Sequence, residues 1–402
     1  MRYLLFFLTL IIYGCDNNEG DSKPTITTEY IAESSLWDIP QYFGENKDVP
    51  KYTAYGTYTN KHIPLAYWAD NTLYHVFTEI SGDGNFYVYA AKDNTEIVKV
   101  HTIENWNDPH TNAIIYVDKE GFVFVHVASR GLSHKFQSGK ILKSKTKYEL
   151  DFECVDGCNT DNFEAYPQVW ITDFGKYIGY TYYTKDEDIH PTINIRELWY
   201  RVNDKRQKLV KGGHYSVSYY DGEFLYIAYN LLIDGKPDNR VNLYLIKTKN
   251  GIDWLNIGGK RLNLPLEQHD DDALIYESTG FVYMKDITDG VRISFIESTD
   301  FDPTKGERRA KEWSDGVVSD ISEVNHNYNS VSYIGDYIIT TQDGLFGLGG
   351  GDMVLYSDGV EAYRDNSCNW NYVRKAVNSN KAAVVSCGLS GGVGGHYLLR
   401  LD

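Results

Sequence analysis

The chain runs to 402 residues and carries 56 acidic against 39 basic side chains, a formal net charge of −17. That balance excludes nucleic acid and an anionic membrane surface as electrostatic partners, because both would repel it. An acidic sugar stays admissible wherever Arg, Lys and His gather locally, and 34 Tyr with 16 Phe, few Met and no long helical periodicity point to an all-β protein.

The chain opens with a targeting segment. Arg2 is followed by an apolar run over residues 3–13 that ends in Ile12-Tyr13-Gly14-Cys15, which reads as a lipobox. About a dozen apolar residues fall short of the roughly 20 that a spanning helix needs. Residues 1–14 are therefore expected to be a lipoprotein signal peptide, Cys15 the lipidated residue and 15–30 an acidic tether, with 31–402 forming one domain. The expectation is a monomer held at the outer membrane through its lipid alone, facing the periplasm or the cell surface. Between residues 22 and 60 no period is readable, and a strand within 52–58 is expected to close the domain.

From there a unit recurs. NDPHTNAIIYVDKEGFVFVHVASR, residues 107–130, sets a histidine before a strand, a turn with Asp and Gly, a second strand, and an arginine after it. Units of the same kind begin at His62, His110, Tyr166, His214, His269, His326 and Tyr372, spaced 46–57 residues apart. A period of about fifty residues rich in short strands is the size of a propeller blade. The fold expected is all-β, a seven-bladed β-propeller, with blades at 61–108, 109–163, 164–211, 212–266, 267–323, 324–368 and 369–402. If the blades stand radially, the anchors converge on one mouth of the channel. The segment 248–254, TKNGIDW, reads as a degenerate Asp-box turn, and the stretches 185–197 and 298–311 read as long surface loops. Gly347-Leu348-Gly349-Gly350-Gly351 has no helix after it, so it is backbone near the channel mouth and no phosphate loop.

Four cysteines follow Cys15 and admit three pairings. Cys154 with Cys158, closing a small loop, and Cys368 with Cys387, joining two strands of the last blade, are favoured. No zinc-ligand spacing occurs. No cofactor is expected; Asp270 to Asp272 either hold a structural cation or face water, and no metal is assigned.

His110 and His214 are the first acid/base candidates and His326 the next, each in polar company at a strand entrance. The alternative for any one of them is a hydrogen bond to the next blade's backbone. Arg130, Arg240 and Arg374 are candidates to grip a carboxylate or sulfate, against the alternative of a surface ion pair. Tyr166, Tyr328 and Tyr372 can donate a proton or stack on a sugar, although packing accounts for most tyrosines.

The segments DPHTNAIIYVDKEGFVFVHVASRG, YPQVW, GGHYSVS, RVNLYLIKT, HNYNSVSY, GLGGGDMVLYS and NYVRKAV resemble the BNR-repeat propellers, a sialidase-like group that includes ulvan lyases and related lyases and dehydratases. That resemblance implies β-elimination on a uronic-acid-containing glycan, with an anionic poly- or oligosaccharide as partner. The lyases place a second histidine where Arg130 stands, so their two-histidine scheme does not transfer whole; His126 and His134 are out of register. Two alternatives stand beside it. One is a glycoside hydrolase, rhamnosidase- or sialidase-like, although the Phe-Arg-Ile-Pro start of bacterial sialidases is absent and only His62-Ile63-Pro64 stands there. The other is a glycan-binding lipoprotein without turnover.

Overall fold

The computed structural model describes residues 25–34, 36–38, 52–54, 56–80, 85–104, 109–129, 139–160, 164–185, 194–203, 205–233, 238–267, 269–300, 302, 305–343, 350–388 and 394–401. Cys15, Arg130, His134 and the glycines 347–349 lie outside them, as does the side chain of His214.

Seven antiparallel sheets form the blades of a β-propeller. Their innermost strands are Ala66–Ala69, Ala113–Val117, Glu164–Thr172, Gly213–Tyr220, Phe281–Thr288, Val331–Ile334 and Asn369–Lys375. Each inner strand packs between its neighbours in the ring, which is why Ala113–Val117 is apolar and buried at every position. The outer strand Glu96–Ile103 mixes exposed and half-buried positions, because only one of its faces meets another blade. Turns follow the expected chemistry. Asp118 Oδ1 accepts the amides of Glu120 and Phe122 at 3.0 and 2.9 Å, and Gly121 takes φ 94°, where a Cβ would strike the Tyr148 ring. Most buried tyrosines pack in the hydrophobic core; Tyr200, for example, stacks on Tyr177 and accepts the Trp254 indole N–H at 3.0 Å.

The Asp-box turn forms as expected. Thr248 Oγ1 reaches Asp253 O and Asn250 Oδ1 accepts the amides of Ile252 and Asp253, while Trp254 is fully buried beneath. Both cysteine pairs are bonded, Cys154 to Cys158 and Cys368 to Cys387, with Cα atoms 5.6 and 5.8 Å apart.

Two elements differ from expectation. The ring closes through Ile26–Ser34, which pairs antiparallel with Gly394–Leu401 as the fourth strand of the last blade. Among the described residues Tyr52–Ala54 pairs with Leu36–Asp38 alone, and the closing strand takes in residues 26–30, assigned to the tether on sequence. The edge of the last blade needs a partner of matching length, and Tyr52–Ala54 spans only three residues against the nine of Ile26–Ser34. In the fifth unit, the strand after His269, Leu274–Tyr276, joins the fourth blade by pairing with Arg240–Thr248. The inner strand of blade 5 is Phe281–Thr288, so His269 is not at the channel; it sits exposed beside the short turn Asp271–Ala273. Asp270 Oδ1 caps that turn, Asp271 and Asp272 are exposed, and Lys260 pairs with Asp272, which leaves the triplet facing water.

Candidate active site

The channel entrance is occupied by the segment 56–64, of which the period in the sequence marks only the end around His62. Its polar groups are bonded to four different blades. Thr57 meets Ser386 Oγ at 2.9 Å, Asn112 Nδ2 donates to Gly56 O and Tyr58 O at 3.0 and 2.6 Å, Asn60 Nδ2 donates to Lys285 O at 2.8 Å, and Ile63 N donates to Pro167 O at 3.1 Å. A stretch tied to blades 7, 2, 5 and 3 in turn has one position available, and it holds Tyr58 and Lys61 in the mouth.

The inner strands supply the other wall. Those of blades 3, 4, 5 and 7 each break register, at 165–168, 213–216, 284–286 and 371–374. A bulge presents an extra side chain at the rim. Here the residues within those bulges are Tyr166, Tyr215, Lys285 and Tyr372, with Tyr166 and Tyr372 in left-handed backbone at φ 55° and 51°. All four line a narrow cavity of about 30 Å³, together with Tyr58, Lys61, Arg240, Tyr283 and Tyr328.

Tyr58 is the centre of the aromatic wall. Its hydroxyl is hydrogen-bonded to His110 Nε2 at 2.7 Å, and its ring meets the edges of His110 and Tyr372 at 4.8 and 5.0 Å. His110 lies on the 3-10 turn Pro109–Thr111 immediately before the inner strand of blade 2 and also packs edge-on to Tyr166. Burial, reinforced by the hydroxyls of Tyr166, Tyr215 and Tyr372, pushes the Tyr58 phenol well above its usual range, so at rest it keeps its proton.

The facing wall is cationic. Arg240 is 4% exposed, stacks 4.3 Å from the Tyr215 ring centre and 5.1 Å from that of Tyr283, and pairs at 3.4 Å with Asp238, which also accepts from Tyr328 Oη at 2.9 Å. Burial opposes its charge, but Tyr215 and Asp238 more than offset that. Lys61 Nζ donates to Met284 O at 2.5 Å and Lys285 Nζ to Asn327 O at 2.6 Å. Burial and the neighbouring Arg240 hold both ammonium groups well below the usual lysine range, with Lys285 and Arg374 adding to the effect on Lys61. Two buried lysines and an arginine, set against the carboxylates of Asp238 and Asp286, make a site that favours an incoming anion.

The expected site residues therefore divide. His110, Tyr166, Tyr328, Tyr372 and Arg240 meet in or against this cavity. Arg374 lies just beneath it, buried, its Nη2 donating to His62 O at 3.5 Å, and burial lowers its pKa despite Asp286. His326 stands behind Tyr328, stacked on it at 5.2 Å, with Nδ1 accepting the Tyr328 amide at 3.1 Å. Burial, then Arg308 and Lys285, bring its pKa down to about 3, so it is a neutral acceptor that orients Tyr328. Tyr58, Lys61, Tyr215, Asp238, Tyr283 and Lys285 were not singled out on sequence. One signal was present: the fully buried strand Phe281–Thr288 carries Lys285-Asp286 in its middle, and a charged pair inside an apolar inner strand has to face something polar. Among the described residues no group of three or more His, Cys, Asp or Glu is placed to hold a metal ion.

No protein-family model matches the chain, BNR repeat included, and no curated protein matches it by sequence. Solved structures do. A polysaccharide lyase of family PL25, an ulvan lyase bound to -[GlcA(1-4)Rha3S]-, superposes with a TM-score of 0.60 at 13% identity, covering 92% of this chain and 95% of its own. The same kind of ulvan lyase without the saccharide gives 0.60 at 14%. The polysaccharide lyase Uly1 gives 0.59 at 11%, covering 94% and 99%. At such identities the likeness is one of fold.

Proposed function

We propose that the chain is a lyase that performs β-elimination on a uronic-acid-containing, ulvan-like oligo- or polysaccharide, tethered to a membrane through Cys15. The observation that carries this reading is the Tyr58–His110 hydrogen bond of 2.7 Å at the wall of a cavity whose opposite side is Arg240, Lys61 and Lys285. The fold shared with ulvan lyases supports it, and one of those holds a glucuronate-containing ligand, an anion of the kind these cations suit.

The chemical problem is a weakly acidic C5 proton next to a carboxylate. Arg240 offers a planar fork to that carboxylate, and an anion arriving between Lys61 and Lys285 restores the charge that burial disfavours. Charge developing on the carboxylate as C5–H breaks is then met by fixed cations in a site screened from water. The Tyr58 hydroxyl passes its proton to His110 Nε2 as its oxygen takes the C5 proton. Tyr58 then protonates O4 as the C4–O4 bond breaks, and His110 returns its proton to Tyr58. The products are a 4,5-unsaturated uronate and either a new sugar hydroxyl, in a lyase, or water, in a dehydratase of a terminal uronate. Tyr166 and Tyr372 hold the pair edge-on and give the sugar ring an aromatic floor.

The test is incubation of the folded protein with ulvan oligosaccharides while following the ultraviolet band of the unsaturated uronate and the product masses. Growth of that band is expected, and the masses separate chain cleavage from loss of water. Saturated reducing sugars without the band would overturn elimination in favour of hydrolysis. Binding without any product would leave a glycan-binding protein.

A further inference from the structure

At the end of the channel opposite Tyr58, where the inner strands leave rather than enter, the blades open into a cavity of about 760 Å³. It shares no lining residue with the catalytic mouth. Asp286 lies between the two, 2% exposed, bonded to Ser332 Oγ at 2.6 Å and to its neighbour's amide at 2.9 Å. Ligand sites of drug-sized molecules usually enclose roughly 300–1,000 Å³, and this cavity falls within that range.

Its walls have the make-up of a saccharide platform. Trp68, Tyr219 and Tyr220 end their inner strands half-exposed in the cavity, where tight packing against a neighbouring blade would have covered them. The rings are set in place. Tyr219 donates its hydroxyl to Asp289 and stands edge-on to Trp170 at 5.8 Å, and the Trp170 indole N–H is spent on Ser218 Oγ at 2.8 Å. Lys375 reaches in with 17% of its side chain exposed, its Nζ held by Ile287 O at 2.5 Å, 4.0 Å from the buried Asp286 carboxylate and 5.0 Å from the Tyr219 ring centre. Arg400 and the amide of Asn378 border the same space. Aromatic faces take the C–H side of a pyranose, amides take its hydroxyls, and an ammonium anchored from beneath by Ile287 O and Asp286 can turn its remaining donor to an acidic substituent.

We propose that this wide mouth is a second, non-catalytic binding site for an acidic oligosaccharide, one that holds a length of polymer while another part is processed at the Tyr58 mouth. The proposal rests on the saccharide reading above for the class of ligand and on Trp68, Tyr219, Tyr220 and Lys375 for the place.

The experiment is calorimetric titration of the full chain carrying Tyr58→Phe, which silences turnover, with a saturated ulvan tetrasaccharide. Two classes of site are expected. Adding Tyr220→Ala or Lys375→Gln should weaken one class tenfold or more and leave the other unchanged, and adding Trp68→Phe should weaken it less. In the otherwise native chain, Tyr220→Ala should leave the rate on a tetrasaccharide unchanged and slow consumption of the polymer. A melting curve for each variant guards against misfolding. One class of site in the parent, or binding unmoved by both Tyr220→Ala and Lys375→Gln, would overturn the proposal. Equal affinity for a neutral tetrasaccharide would overturn its acidic specificity. If the native chain forms no unsaturated product yet the Tyr220-dependent site persists, the elimination reading fails and the second site stands.

Discussion

Arg240 shows how a single side chain can be legible in sequence while its role depends on neighbours that are not. Its place before a strand marked it, but the pairing with Asp238 two residues away, the stack on Tyr215 of its own blade and the approach of Tyr283 from blade 5 are set only by the fold. Arg240→Lys keeps the charge and loses the fork, so kcat/KM on an ulvan oligosaccharide should fall by about 10²–10³ with the fold intact; a loss under tenfold would remove Arg240 from the site. Tyr58→Phe should lower kcat by about 10²–10⁴ and leave KM nearly unchanged, since it removes the proton carrier and keeps the ring. Tyr58 stayed invisible because a lone tyrosine among 34 carries no pattern. The histidines make a separate prediction about pH. His75 Nδ1 and His396 Nε2 lie 2.9 Å apart in the core, where burial holds His75 down to about 4 and His396 well below its usual value. Both must stay neutral to fold, so the unfolded chain binds the extra protons. Their stabilisation is complete above an ordinary histidine pKa of about 6.5 and is lost as pH falls toward 4. Urea midpoints should drop between pH 7 and pH 4, and His75→Gln with His396→Asn should flatten that drop relative to the parent.

Strands and turns were the most legible level, because alternation and Asp-Gly turns are local. Asp118 fixes its turn and Thr248-Asn250-Asp253 fix theirs whatever the rest of the chain does. What local pattern could not decide was partner choice: Leu274–Tyr276 reads as the opening of a new hairpin, yet it adds to the open edge of Arg240–Thr248 in blade 4. The stretch 56–60 was unreadable for the opposite reason, as the bonds that place it run to other blades and build no strand ladder. Asn112 is its main clamp through Gly56 O and Tyr58 O. Asn112→Ala should therefore lower kcat through a displaced Tyr58, with a melting temperature shift of only a few degrees; unchanged kinetics would show that the other three blades suffice. The two disulfides allow a comparison within one chain. Cys368–Cys387 closes a separation of 19 residues and Cys154–Cys158 one of only 4. Loop-closure entropy favours the longer, so replacing Cys368 and Cys387 by Ser should cost about 2–4 kcal/mol in urea unfolding and the shorter pair less.

The ring itself was visible as a period, because each blade repeats one packing problem, but its closure and its orientation follow only from the register of the first and last strands. Ile26 lies opposite Leu401 and Ser34 opposite Gly394, so the N-terminal strand enters at the end of the last blade that borders the wide mouth. Residues 16–25, ten in number, reach at most roughly 35 Å when extended. A lipid on Cys15 would thus hold the wide mouth toward the bilayer at a distance that a glycan can still enter, and turn the Tyr58 mouth outward to incoming polymer. The exposed Glu323, at the Tyr58 end of blade 5, and the exposed Lys381, beside the wide mouth, mark the two faces. With the lipidated chain on vesicles, a fluorophore at Glu323→Cys should transfer energy to a bilayer acceptor less efficiently than one at Lys381→Cys. Equal transfer would mean that the tether imposes no orientation, and the reverse order would mean that the polymer has to approach the Tyr58 site from the membrane side.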